Sequence, residues 1–425
     1  MKILLIGSGG REHTLAWKLK QSPKVEKIFC APGNAGIAEL AECVPLSSDD
    51  IPALLAFAKD NAIDLTVVGP EAPLVNGIVD EFMAAGLTVF GPSKAAAQLE
   101  GSKAFAKKIM KKYKIPTAKY EVFKDAKKAM EHIFMSKFPV VIKADGLAAG
   151  KGVTVATSLV EAKKAIEDAM NSKVFGEAGA TVVIEECLVG EEASVLAFVD
   201  GSNILVMPAA QDHKRIFDED KGPNTGGMGT YCPAPIVNAK LQDEVMNKVL
   251  RPMVDGMAKE GAPYKGVLYA GLMITSDGPK VIEFNCRFGD PETQVILPRL
   301  ASDLADILLA CTNGTLSTIQ PEWKQDAAVC VVLAADGYPG TYKKGDVISG
   351  LENFKDTADI IVFHAGTTLD NGAVKTSGGR VLGVTALDTD LKKAIKKVYG
   401  AVARISFDGM QFRKDIARKA LSYLK

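Results

Sequence analysis

Four short apolar runs in the first ninety residues, at 2–6, 27–30, 65–68 and 87–90, each end at a glycine or proline, with helical segments such as 12–20 and 52–61 between them. Runs this short suit strands. Strands that alternate with helices must be parallel, because only a crossover connection returns the chain to the same edge. The expectation is a parallel α/β sheet wound on both faces, with ligands at the carboxyl ends of its strands. Those ends carry Gly7-Ser8-Gly9-Gly10, Pro32-Gly33-Asn34, Gly69-Pro70-Glu71 and Gly91-Pro92-Ser93.

At 425 residues the chain exceeds what one hydrophobic core supports, so it is expected to be an α/β and α+β multidomain protein. We divide it into an N-terminal parallel α/β domain (1–101), a central domain (102–325) with a small α+β lid at about 120–187, and a mixed C-terminal domain (326–425) that ends in a helix starting near Phe412. Strands are predicted at 140–143, 153–156, 181–185, 193–199, 267–275 and 280–285, and after 326 at 327–334, 360–363, 374–376 and 381–386. Lys plus Arg and Asp plus Glu both number 51, so no global field favours nucleic acid or an anionic membrane. Seven cysteines without a C-x-x-C pair argue against a disulfide framework or a structural zinc, and a reducing cytoplasm fits them best. No apolar run reaches membrane-spanning length.

Chemistry concentrates in a few blocks. The turn Gly7-Ser-Gly-Gly-Arg-Glu12 invites a dinucleotide reading, but Glu12 stands where the third glycine would be and no acid follows the second strand to hold a ribose. A phosphorylated small molecule on the Gly9–Gly10 amides and a purely structural turn remain open alternatives. Lys143 lies on a strand followed by Gly146, Gly150 and Gly152, a strand-loop-strand pattern that suits a flap over nucleotide phosphates or an ordinary hairpin. The spacing is not that of a P-loop. The segment Glu185-Glu186-Cys187-Leu188 leaves a strand with free backbone groups that can read an adenine edge, and a following carboxylate can accept from ribose hydroxyls.

Glu283 and Asn285 alternate on one strand and so share a face. One carboxylate and one amide oxygen are enough to anchor magnesium when phosphates and water complete its shell. The competing reading pairs Glu283 with Arg287 inside the core. Arg287 is otherwise free to clamp a carboxylate or phosphate. Asp212 and Lys214, in Gln211-Asp-His-Lys-Arg215, precede the glycine-rich run 222–229 and can hold the two ends of an amino acid, with loop amides facing an oxyanion. His213 suits either that cluster or a structural role. No arrangement suggests a covalent nucleophile.

The blocks 7–13, 69–74, 99–103, 143–152, 211–215, 222–229, 283–294 and 377–380 together resemble the glycinamide ribonucleotide synthetase family of the ATP-grasp superfamily, nearly end to end. The resemblance implies ligation of glycine to 5-phosphoribosylamine with ATP, through a glycyl phosphate, in purine synthesis. It assigns Lys103, Lys143, Gly150 and Gly152 to ATP phosphates, Glu185, Glu186 and Leu188 to adenine and Glu191 to ribose. Glu283 and Asn285 fall to magnesium or manganese, and Asp212, Lys214 and Arg287 to catalysis. Gly9, Gly10, Asn224, Thr225, Gly226 and Pro291 join them around the substrates. A monomer that binds these small molecules, and no nucleic acid or membrane, is expected. The competing readings are another ATP-grasp ligase or carboxylase, a dehydrogenase resting on the first turn alone, and a nucleotide sensor.

Overall fold

The computed structural model describes residues 1–148, 152–355 and 357–424. Its first five strands, Lys2–Gly7, Lys27–Pro32, Glu42–Cys43, Leu65–Val68 and Val89–Phe90, form a parallel sheet in the order third, second, first, fourth, fifth. Leu4 and Ile6 enter one hydrophobic cluster and Ile3 and Leu5 another, all fully buried, so this sheet is covered on both faces. Burying each such side chain contributes about 1.5–3 kcal/mol. The strand order reverses between the first and fourth strands, which opens a crevice between the turn after Gly7 and the turn at Gly69.

The lid is a four-stranded antiparallel sheet in the order Tyr120–Phe123, Val182–Glu186, Val140–Ala144, Val153–Ala156. It has its own core, in which Ile133 and Ile166 from two helices meet Ile142 and Ile184. The body of the central region is a second antiparallel sheet, Ile204–Val206, Glu191–Asp200, Lys265–Thr275 and Gly278–Asn285. Val195 and Ala197 share one hydrophobic cluster with Met253 and Met257 of the helix Arg251–Lys259, while Leu196 and Phe198 share the other with the helix Leu304–Asn313, which packs on their strand.

A third antiparallel sheet runs Gln211–Asp212, Gly229–Cys232, Ala327–Ala334, Arg380–Asp388, Ile360–His364. Gly229–Cys232 pairs directly with Ala327–Ala334, so the last hundred residues share a hydrogen-bonded ladder with the central region. The segment between them is also tied down, since Arg299 donates to the carbonyls of Lys324 and Asp326.

The predicted final helix near Phe412 does not form. The last long helix is Leu391–Val402, started by Asp390, whose carboxylate accepts from the Lys393 amide, and buried along Leu391, Ala394, Val398 and Ala401. Around Phe412 the chain is instead extended. Gln411 pairs with Ala334 through both backbone groups, and the fully buried Arg413 binds Asp220, Asp415 and the Arg215 carbonyl. Only the short turn Arg418–Tyr423 follows. Among the described residues no helix is long and apolar enough to cross a membrane.

The first and last domains meet at two buried histidines. His13 Nδ1 accepts from the His364 amide at 2.7 Å, and the His364 ring contacts Thr367 Oγ1 at 3.1 Å. Burial, with His364 nearby, lowers the His13 pKa from 6.5 to about 3, and burial lowers that of His364 to about 4. Both rings are neutral when folded, whereas the unfolded chain takes up protons below pH 6.5, so their contribution is complete above 6.5 and is lost as pH falls toward 4. The melting temperature should therefore decline between pH 6.5 and 4. A His364→Gln variant, followed by circular dichroism, should show a shallower decline over that window.

Candidate active site

Glu283 and Asn285 lie near the end of the edge strand Gly278–Asn285 and face the same way, as their spacing requires. Lys214 Nζ stands between Glu283 Oε1 at 3.6 Å and Glu192 Oε2 at 3.2 Å. Loss of water alone would push the Glu283 carboxyl up. Lys214, Lys143, Lys103 and Arg287 outweigh it and bring the pKa down to about 2, so the carboxylate is ionised at any physiological pH. Glu192, foremost, holds the Lys214 ammonium well above its usual range.

Arg287 is more committed than its sequence context suggests. It donates from Nε to Glu71 Oε2 at 3.2 Å, from Nη1 to the Phe288 carbonyl, and from Nη2 to Glu100 Oε1 at 2.8 Å and Asn285 Oδ1 at 3.3 Å. The core pairing of Glu283 with Arg287, the alternative to a metal, is not what forms; Arg287 pairs with Glu71 and Glu100. Glu283 and Asn285 thus offer one ionised carboxylate and one amide oxygen on a common face, a donor set that fits a hard divalent cation.

On the phosphate side, Lys103 opens the helix Lys103–Lys112 and donates to the Gly146 carbonyl at 3.1 Å. Burial lowers its pKa, with Glu283 opposing. Lys143, from the lid, donates to the Ile282 carbonyl at 3.0 Å and pairs with Glu185 Oε1 at 3.0 Å. The other Glu185 oxygen pairs with Lys107 at 2.9 Å, and all three side chains are buried. Burial brings the Lys107 pKa down to about 8 even beside that carboxylate. The Glu185 side chain is therefore occupied by two lysines, and only main-chain groups of 185–188 are left to read a base. Of these, the Glu186 amide already donates to the Lys119 carbonyl, while its side chain accepts from the Lys119 amide at 3.0 Å. Leu188 follows on the same exit from the lid. Gly152 accepts from the Ala144 amide and has Ala148 and Ala144 where a Cβ would go. Gly150 lies outside the described residues.

The two neighbouring acids after the lid have different partners. Glu191 and Glu192 are adjacent on a strand and point to opposite faces of the sheet. Glu192 reaches Lys214, and Ser194 on the same face binds Glu292. Glu191 instead accepts from the Tyr423 hydroxyl at 2.7 Å, away from Lys214 and Glu283. A sequence that offers two neighbouring acids gives no sign of which one the pleat turns toward Lys214.

The loop 224–229 is braced from several sides. Thr225 Oγ1 donates to the Lys214 carbonyl at 2.7 Å and accepts from the Gly227 amide at 3.0 Å, while Asn224 pairs with Arg215 in a hairpin. Gly227 has φ 116°, and a Cβ there would lie 2.4 Å from Pro291 Cδ and 2.7 Å from Asp212 Oδ1. Only glycine lets the loop lie against both. Burial, with Glu292 adding to it, pushes the Asp212 carboxyl well up. Arg380 Nη1 donates to the Gly226 and Asp290 carbonyls, both at 2.8 Å, and the Gly226 amide donates to Tyr338 at 3.0 Å. His213 is buried and contacts the Gly229 carbonyl, and burial lowers its pKa to about 4.

The amino-terminal turn reaches the same place. Glu12 Oε2 accepts from the Gly9 amide at 2.6 Å, and a Cβ at Gly69 would lie 2.0 Å from Glu12 Oε1. Glu12 thus fills the space that a third glycine leaves open in a dinucleotide site. Arg11 binds Glu12 at 2.6 Å and the Phe288 carbonyl at 3.2 Å. A Cβ on Gly9 or Gly10 would meet Asp290 at 3.3 Å or Gln294 at 2.6 Å. Sequence reasoning missed Lys107, Glu192, Glu71, Glu100 and Arg380 as parts of this constellation. Lys107 had a usable signal, since it lies four residues after Lys103 on one helix face.

The chain resembles known proteins along nearly its whole length. Models of the phosphoribosylglycinamide synthetase N domain, ATP-grasp (A) domain and C domain match residues 1–100, 101–293 and 328–419. The chain is 53% identical over 417 residues to the phosphoribosylamine–glycine ligase of Caldanaerobacter subterraneus subsp. tengcongensis, covering 98% of this chain and 99% of that one. The crystal structure of the Thermotoga maritima phosphoribosylamine–glycine ligase superposes with a TM-score of 0.84 at 34% identity, over 98% of this chain and 100% of that one. A biotin carboxylase–nucleotide complex from Campylobacter jejuni superposes at 0.76 over 97% and 92% of the two chains, with 15% identity, which shows a common fold alone. With three domain models in register along its length and relatives above half identity, the chain belongs to the phosphoribosylglycinamide synthetase family, with its ATP-grasp domain at 101–293.

Proposed function

We propose that the protein joins glycine to 5-phosphoribosylamine, converting ATP to ADP and phosphate and giving glycinamide ribonucleotide for purine synthesis. The observation that carries this reading is the end of one strand, Glu283–Asn285, where Lys103, Lys143 and Lys214 gather around one carboxylate and the 224–229 loop is bonded to the Lys214 main chain. A phosphate donor and a small carboxylate can meet there.

Phosphoryl transfer needs positioning and neutralised charge more than covalent help. Lys103 and Lys143 receive ATP phosphates, main-chain groups of 185–188 receive the adenine, and Glu192, on the site face, receives the ribose hydroxyls. Glu283 and Asn285 hold magnesium or manganese, which when bound neutralises phosphate charge. Glycine lies with its ammonium toward Asp212 and its carboxylate toward the γ-phosphate. The carboxylate oxygen attacks that phosphorus and ADP leaves, giving glycyl phosphate. The amine of phosphoribosylamine then attacks the acyl carbon, phosphate departs and a proton is lost from the nitrogen. Lys214 and Arg287 stabilise the oxyanion that forms meanwhile, since the amides of 225–227 already donate to the Lys214 carbonyl, Tyr338 and Thr225. Gly9, Gly10 and Pro291 border the acceptor.

ADP release in a coupled assay should require glycine, 5-phosphoribosylamine and magnesium together; brisk release without the amine, or with bicarbonate in place of glycine, counts against the ligase. Glu283→Ala should lower turnover by roughly 10²–10³-fold while circular dichroism and melting stay close to wild type. Exchanging the neighbouring acids separates their roles. Glu192→Ala should raise the KM for ATP about tenfold, and Glu191→Ala should leave it within about twofold. The reverse result would return ribose binding to Glu191.

A further inference from the structure

Two of the sequence blocks, at 69–74 and 99–103, contain acids with no part in the chemistry above, yet both acids end on the same guanidinium. Glu100 closes the helix Lys94–Gly101, and its side chain is 8% exposed. One oxygen takes the Cys286 amide at 2.7 Å and the other takes Arg287 Nη2 at 2.8 Å. Glu71, the first residue of the helix Glu71–Asn76 that follows the fourth parallel strand, takes Arg287 Nε at 3.2 Å. The Arg287 plane is thus fixed from two edges by carboxylates of a different part of the chain, 187 and 216 residues away.

That plane decides something about Asn285. A guanidinium has donors only, so the Asn285 amide must turn its oxygen, not its nitrogen, toward Arg287 Nη2, and the contact is 3.3 Å. Without Arg287 in place, the two ends of the amide are nearly equivalent in shape and either can face the site. We infer that Glu100, assisted by Glu71, is a positioning residue that sets the Arg287 guanidinium and, through it, presents the Asn285 oxygen to the site. The same short segment runs on to Ser102, Lys103 and Ala104, where Asp145 of the lid accepts from the Ser102 hydroxyl at 3.0 Å and the Ala104 amide at 2.6 Å. Glu100 therefore sits where the lid's anchorage and the substrate arginine are built from one stretch of chain.

This inference rests on the ligase reading for its kinetic consequence but not for its structural one. In Glu100→Gln one side-chain oxygen remains for the Cys286 amide, while an NH₂ group faces Arg287 donor to donor. We expect kcat to fall about tenfold to a hundredfold, with the KM for ATP within about threefold of wild type. Combined with Arg287→Lys, it should cause no further loss beyond the arginine change alone. A crystal structure of Glu100→Gln should show Arg287 withdrawn from the Asn285 oxygen. Should Glu100→Gln not fold, Glu71→Gln should give the same withdrawal and a smaller drop in kcat. An unchanged kcat, losses that multiply in the double variant, or an Arg287 that keeps its place would each overturn the assignment. If the wild-type protein does not turn over glycine and 5-phosphoribosylamine, the ligase reading falls, and the position of Arg287 in the variant crystal still decides the role of Glu100.

Discussion

A carboxylate that stays ionised among buried and half-buried cations is the constraint on which the rest of this site depends. Glu283 has Lys214, Lys143, Lys103 and Arg287 around it, and together they outweigh the loss of water that would otherwise protonate it. Each of those cations is held by something else as well. Lys214 is shared with Glu192, Lys143 with Glu185 and Arg287 with Glu71 and Glu100. The site is a lattice of opposite charges whose members come from the lid, the central sheet and the amino-terminal domain.

Such a lattice explains why the domains are tied together as they are. Arg11 and Glu71 bring the switch point of the parallel sheet onto Phe288 and Arg287. Arg380 and Tyr338 reach from the last hundred residues to the 226–227 loop. The shared ladder between Gly229–Cys232 and Ala327–Ala334 makes that reach reproducible, because a hydrogen-bonded register fixes the distance between strands more tightly than a linker does. The lid, with a separate core, is attached mainly through charged and main-chain contacts, among them Lys143 to the Ile282 carbonyl. Lys107, Lys143 and Glu185 leave one more positive than negative charge buried at that junction, which suits the approach of an anionic nucleotide.

Several particulars show what a reader of the chain alone can and cannot see. The parallel sheet was legible because its strands are short, apolar and punctuated by glycine and proline, and those signals are local. The common face of Glu283 and Asn285 was legible because a strand has a period of two. The helix Leu391–Val402 was missed although its cap and its apolar spacing are both local, and a helix was placed instead near Phe412, where Arg413 is drawn inward by Asp220 and the Arg215 carbonyl. Which of Glu191 and Glu192 faces Lys214 was not legible, because it depends on the pleat of a strand paired along its length with Lys265–Thr275.

The amino-acid sequence by itself determined the class of fold, the blocks that carry chemistry and the family to which they belong, since all of these are written in residue types at fixed spacing. The tertiary structure decided the partners. That Glu185 bridges two lysines, that Glu12 fills the first glycine turn, and that Glu71 and Glu100 meet on Arg287 are facts about residues far apart in the chain. Their charges and sizes are plain in the sequence, but an ion pair or a missing Cβ acts over a few ångströms, and only folding brings those groups within that range.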